Sequence, residues 1–188
     1  KVQVSSAIRK RVEQSHNLLR KHLDAGEAIY GVNTGFGALS EHRIEESDLK
    51  QLQLNLIRSH CAGTGRPLDM GLTRAILLLK LINFSHGYSG VRWRLVRHLC
   101  DFFNHDILPV IPSQGSVGAS GDLVPLSHMS LALIGEGEVH FNDRVIPTIV
   151  ALRERGIEPF ELGPKEGLGL VNGTQVSTAF ALLGLHKM

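Results

Sequence analysis

The sequence predicts a mainly α-helical fold with a small β-hairpin element, and three observations carry that reading. Apolar residues recur at three- and four-residue spacing in segment after segment, the pattern of helices with one buried face. One nine-residue stretch alternates around an Asn-Asp pair, as a hairpin does. Between the periodic segments lie loops rich in glycine. With 188 residues, 43% hydrophobic and 20% charged, the chain suits one compact domain or a large piece of one.

The elements follow in order. Val4, Ile8, Val12, Leu18, Leu19 and Leu23 predict an amphipathic helix over 5–24, ending near Gly26. The pattern then breaks at "YGVNTGFGALS" (30–40), whose glycines give access to positive φ. Ser47 is placed to cap a second helix through Leu49, Leu52, Leu56 and Ile57 to His60, which "AGTGRP" stops. Asp69 caps a third, through Leu72, Ile76, Leu79 and Ile82 to about His86, and Val91 to Asn104 reads as a fourth. "VHFNDRVIP" (139–147) is the hairpin, a short helix follows from Thr148 to Glu154, and a final apolar helix begins after "EGLGLVNGT" (166–174). No repeat or domain linker interrupts the series.

Composition excludes several function classes. The formal charge is only +2 and the basic residues are scattered, so nucleic acid is not an expected partner. Cys61 and Cys100 lack any metal or redox spacing and read as reduced thiols of a cytoplasmic protein. Apolar runs such as "AILLLKLINF" (75–84) are too short and too charge-interrupted to predict a membrane span, and no signal-peptide pattern opens the chain. Lys1 rather than Met at the start, and an uncapped apolar helix at the end, predict a piece of a longer protein. Neither a P-loop nor a GxGxxG after a strand is present, so no nucleotide is expected. Ten histidines include no HExxH, so no metal is expected either. "GASGD" misses the GxSxG nucleophile elbow by one residue.

"SVGASGDLVP" (116–125) permits different chemistry. Glycine offers the least hindered amide nitrogen and reaches unusual φ and ψ, so a bent loop can bring the Gly121 nitrogen against the carbonyl carbon of Ala119. A five-membered ring then closes with loss of water, and loss of the Ser120 hydroxyl leaves an exocyclic methylidene, an electrophile made from the chain itself. Asp122 is placed to manage protons or to cap the following helix. The same residues taken alone also fit a plain loop followed by an N-cap.

Four blocks bring a family into view. "GSVGASGDLVPLSHMSLALIGEGE" (115–138) resembles the prosthetic-group segment of the aromatic amino acid ammonia-lyases and aminomutases, in which Ala-Ser-Gly cyclises to methylidene-imidazolone. "YGVNTGFG" (30–37), "LIRSHCAGTGRPL" (56–68) and "KEGLGLVNGTQVSTA" (165–179) resemble further blocks of that family, in the right order and over almost the whole chain. Mild departures are Val124 and Gly169, where alanine is frequent.

The resemblance implies the N-terminal, prosthetic-group-bearing part of the helical ammonia-lyase fold over 1–188, without the C-terminal helical bundle. It implies a prosthetic group formed from Ala119, Ser120 and Gly121, with neither metal nor nucleotide. Tyr30 matches the lid tyrosine that serves as base, Asp122 follows the ring, and His60 and Asn172 match residues that contact substrate or prosthetic group. A tyrosine base needs its phenolate stabilised, and the N-terminus of the helix that Asp122 begins is one source. Ser59-His60 resembles histidine lyases, since a polar imidazole needs a hydrogen-bonding partner where phenylalanine lyases carry Phe-Leu. The implied reaction is elimination of ammonia from L-histidine to urocanate. A tyrosine lyase, or an aminomutase releasing a β-amino acid, is the alternative within the family. A non-catalytic helical binding module is the alternative outside it. The family's carboxylate-binding arginine and its homotetramer-forming bundle lie beyond the matched blocks, which implies that this chain alone does not turn over substrate.

Overall fold

A computed structural model describes the backbone of residues 1–188 and every side chain except those of Leu39 and Lys187. Its helices and strands run α1 Ser6–Asp24, α2 Leu49–His60, β1 Thr64–Pro67, α3 Met70–Ser85, α4 Trp93–Asn104, β2 Leu108–Pro109 and β3 Pro112–Gln114. Then come α5 Leu123–Leu133, β4 Glu138–Phe141, β5 Arg144–Pro147, α6 Thr148–Arg155, α7 Glu166–Val171 and α8 Gln175–Lys187. The mainly α-helical class is as the periodicity predicts.

Caps set several of the boundaries. Ser5 accepts from the Ile8 amide at the start of α1, and Gly26, at φ +74°, turns the chain out at its end. Asp69 caps α3 as predicted, accepting from the Leu72 amide at 2.8 Å. Ser47 does not cap α2. It lies inside a 3-10 turn, Glu46–Asp48, that runs straight into the helix, and the carbonyls of Glu45 and Glu46 already occupy the amides of Asp48 and Leu49. Helix α4 starts two residues later than predicted, because the Arg92 amide donates to the Glu166 carboxylate at 3.0 Å while Arg92 itself stays extended.

The hairpin is present as predicted. Asn142 and Asp143 both take positive φ, +49° and +57°, which the two-residue turn requires, and β4 pairs with β5 from Phe141 opposite Arg144 to Glu138 opposite Pro147. Two pairings lie outside the sequence reading. Strand β2 adds to β4 to make a three-stranded sheet, and β1 pairs with β3 in a separate antiparallel ribbon. Strands of two to four residues are too short to show alternation, and their partners are distant in sequence.

Helix α7 was also unforeseen, since its glycines read as loop. Their reason is close packing: a Cβ on Gly167 would stand 2.7 Å from the Gln53 carbonyl oxygen of α2. With α7 and α8, residues Glu166–His186 form a 21-residue stretch whose most apolar 18 residues have mean hydropathy 1.3, long and apolar enough by composition for a bilayer span. The axis nevertheless breaks at Asn172 and Gly173, where the backbone is extended and then at φ +139°.

The core is one continuous cluster. Helix α5 runs through its centre, with Leu126, Ser127, Met129, Ser130, Ala132 and Leu133 all buried, and packs on α2, α4, α7 and α8. Its small Ser127 and Ser130 hydroxyls return to the carbonyls of Leu123 and Leu126, so burial leaves neither unpaired. The Ala-Ser-Gly loop thus opens directly into a helix with no exposed residue.

Candidate functional site

The loop between β3 and α5 is bent at three positions that favour glycine. Gly118, Ser120 and Gly121 have φ of +70°, +61° and +105°. Ser120 holds a conformation uncommon for a residue with a Cβ. At Gly121 a side chain has no room, because a Cβ would stand 2.5 Å from the carbonyl oxygen of Gly173. That same oxygen accepts the Asp122 amide at 2.8 Å. The ring-forming tripeptide and the Asn172-Gly173 turn therefore meet backbone to backbone. Ala119 and Ser120 are exposed, and Gly121 is half-buried.

Asp122 is buried, 1% exposed, and its carboxylate is fully engaged. One oxygen accepts the Ser116 and Ser177 hydroxyls at 2.9 and 2.6 Å, and the other accepts the Ser177 amide at 2.8 Å. Of the two roles open to it in the sequence, the cap on its own helix is not formed by its side chain. It caps α8 instead, at an otherwise orphan amide of the first turn, and ties the start of the loop to its end through Ser116.

Asn172 ends α7 with its side chain exposed and its carbonyl turned inward. That carbonyl, and the one of Gly169, accept from the Lys80 ammonium at 3.0 and 3.1 Å. Lys80 is 0% exposed in the middle of α3, and burial lowers its pKa to about 7 against the opposing pull of Asp122. Sequence reasoning passed over Lys80. The signal was present in "AILLLKLINF", where a single charge interrupts an apolar helix. At the other end of α7, Glu166 accepts from the Gly163 amide and from both the amide and guanidinium of Arg92, at 2.6–3.2 Å.

Tyr30 is 56% exposed on its glycine-rich loop. Its hydroxyl accepts the Gly37 amide at 3.3 Å, and its ring meets Phe36 edge-on at 5.9 Å. The loop is anchored one residue later: buried Gln53 donates to the Gly31 carbonyl at 3.1 Å and accepts the Leu168 amide at 3.0 Å. Gln53, also missed from sequence, thus joins the Tyr30 loop to the helix that ends at Asn172.

His60 is the last residue of α2. Its Nδ1–H donates to the Leu56 carbonyl at 2.8 Å, which leaves Nε2 as the acceptor of the neutral ring. Three residues on, the Gly63 amide donates to Nε2 of His128 on α5 at 3.1 Å, and burial pushes the His128 pKa down. Gly63 also faces Gly115, where the ring-forming loop begins. Burial raises the thiol of Cys61, beside His60, to about 11, which disfavours its thiolate.

Of the residues singled out from sequence, Gly121, Asp122 and the Asn172-Gly173 turn are in direct contact. Tyr30 and His60 are tethered to them through Gln53 and Gly63, while their own side-chain hydrogen bonds stay within their segments. A cleft of about 380 Å³ opens beside Asp122, between Gly115, Ser116, Ser177 and Phe180. A larger one of about 720 Å³, between α1 and Pro164, contains none of the predicted site residues.

Comparison with known proteins finds relatives over almost the whole chain. A model of the family described as aromatic amino acid lyase matches residues 1–188. The histidine ammonia-lyase of Legionella pneumophila (strain Paris) is 51% identical over 174 residues, 93% of this chain and 34% of that protein. Among solved structures, histidine ammonia-lyase from Trypanosoma cruzi superposes with a TM-score of 0.91 at 36% identity, covering 99% of this chain and 35% of that one. Tyrosine aminomutase from Streptomyces globisporus gives a TM-score of 0.92 at 38% identity, covering 98% and 35%. The chain spans about a third of the length of the curated relatives it matches.

Proposed function

The chain belongs to the aromatic amino acid lyase family, and from that premise we propose that it is the N-terminal, prosthetic-group-bearing part of an enzyme eliminating ammonia from L-histidine to give urocanate. The observation that carries this reading is the approach of Gly173 to Gly121, which leaves room for no side chain and holds the tripeptide bent. Ring closure joins the Gly121 nitrogen to the Ala119 carbonyl carbon. One water leaves from that carbon and a second takes the Ser120 hydroxyl with its α-hydrogen. The residues present fit the product: two positive-φ positions in succession, an exposed Ser120, and an amide at Asp122 already fixed by hydrogen bonding.

The methylidene-imidazolone formed there supplies an electrophile that makes the substrate amine a better leaving group. The chain's own residues do the rest. Tyr30 Oη, on a glycine-rich lid, takes the β-proton. His60 Nε2, left as an acceptor by the bond from Nδ1–H to Leu56, receives an imidazole N–H of the substrate. The exposed Asn172 side chain contacts the ring or the substrate beside it, and Asp122 holds the loop. The whole protein would be a cytoplasmic homotetramer, with the carboxylate-binding group supplied by chain outside 1–188.

A tyrosine substrate, or aminomutase chemistry, is the second reading, favoured by the 38% identity to a tyrosine aminomutase and by a phenol's ability to donate to the same His60 nitrogen. Intact mass and peptide mapping of the complete natural polypeptide test the ring: a deficit of two waters over 115–125 is expected, and an unmodified Ala119-Ser120-Gly121 overturns the proposal in favour of a non-catalytic module. Product analysis with histidine and tyrosine separates urocanate, coumarate and β-amino acid.

A further inference from the structure

The buried lysine of α3 has no part in the chemistry above, yet it holds the element that presses on the ring-forming loop. Helix α7 has only six residues, and the carbonyls of Gly169 and Asn172 at its end point into the core. Lys80 reaches them from 89 and 92 residues away and satisfies both. The next carbonyl, that of Gly173, accepts the Asp122 amide and closes the space over Gly121. A chain of contacts therefore runs from the Lys80 ammonium through the Asn172-Gly173 peptide to the backbone that must cyclise.

We propose that Lys80 is a positioning residue for prosthetic-group formation: by gripping the Gly169 and Asn172 carbonyls it fixes the Gly173 carbonyl against Gly121 and Asp122, and so keeps Ala119-Ser120-Gly121 bent for ring closure. This rests on the ring-forming reading above. The grip does not depend on charge state. An ammonium offers three N–H donors and a neutral amine two, which matches the two carbonyls. That match explains how a lysine with a pKa near 7 serves in a dry site. Without it both carbonyls lose their buried donor, and the turn is free to rotate them outward, carrying Gly173 off the loop.

The test is the two-water mass deficit in the folded fraction of the complete polypeptide, followed over time after expression. Lys80→Met, which keeps length and apolar bulk but no donor, is expected to slow ring formation about tenfold or more. Lys80→Arg, which restores donors, is expected to recover most of it. Leu99→Ala, a core truncation in α4 away from the loop, serves as the stability control and is expected to cyclise fully. Cyclisation of Lys80→Met at the wild-type rate overturns the proposal, as does an equal slowing in Leu99→Ala at matched melting temperature. If Lys80→Met yields no folded protein, Lys80→Leu, likewise apolar and without a donor, is read by the same criteria. An unmodified wild type overturns the ring reading itself and this proposal with it, whereas a modified wild type beside a Lys80→Met modified at the same rate overturns this proposal alone.

Discussion

The carboxylate of Asp122 takes both the amide and the hydroxyl of Ser177, at 2.8 and 2.6 Å, across 55 residues of sequence. The start of α5 is thereby locked to the start of α8, and the loop between β3 and α5 has one fixed end. Asp122→Ala strands the Ser177 amide and the Ser116 hydroxyl together, and is expected to cost about 3 kcal/mol in chemical denaturation. Ser177→Ala leaves the amide bond in place and is expected to cost about 1 kcal/mol.

Gly121→Ala meets two obstacles at once, a φ of +105° and a Cβ 2.5 Å from the Gly173 oxygen. Loop and turn must separate to admit it. The expected outcome is loss of the two-water deficit, with destabilisation of about 2 kcal/mol or more by thermal unfolding. A fully cyclised Gly121→Ala protein would show that the close approach is not required.

Gln53 spans two segments with one side chain, so removing it should loosen one of them selectively. Gln53→Leu leaves the Gly31 carbonyl and the Leu168 amide unpaired. Amide exchange should accelerate in 29–37 while α4 keeps its protection, with a total cost of about 2 kcal/mol. Uniform acceleration across the chain would contradict a local tether.

Stability should rise with pH from acid to mildly alkaline solution. Burial lowers the pKa of His98 and of His128, so between their folded values and the ordinary 6.5 the unfolded chain binds more protons. Their contribution is present above pH 6.5 and is lost as pH falls through the folded values. Lys80 acts in a higher window, from about 7 up to the unfolded 10.5, where the unfolded chain again holds the extra proton. Between pH 7 and 9 this adds on the order of 2 kcal/mol. Melting temperatures from pH 5 to 9 check both windows, and Lys80→Met should remove the upper one only.

Substrate choice should turn on His60. His60→Leu removes the acceptor nitrogen and is expected to lower kcat/KM for histidine by about a hundredfold or more in the complete polypeptide. Phenylalanine, with an apolar edge, should lose far less. Equal losses for both would remove His60 from substrate recognition.

Much of this was legible beforehand, for identifiable reasons. Long amphipathic segments such as α1 and α3 announce themselves through periodicity, and Asn142-Asp143 through the positive φ both residues accept. Helix α7 was hidden because its glycines serve packing against Gln53, a cause that local sequence does not display. Ser47 misled because a residue's fitness to cap says nothing about whether the amides after it are already taken.

The sequence by itself determined the helical class, the hairpin, and the four blocks that contain Tyr30, His60, the Ala119-Ser120-Gly121 tripeptide and Asn172, because these depend on residue type and short-range spacing. Only the tertiary structure decided that Asp122 caps α8 rather than its own helix, that Lys80 and Gln53 support the site, and that Gly173 closes over Gly121. Each of those is a pairing between positions 22 to 115 residues apart, created when buried polar groups must find partners inside a packed core.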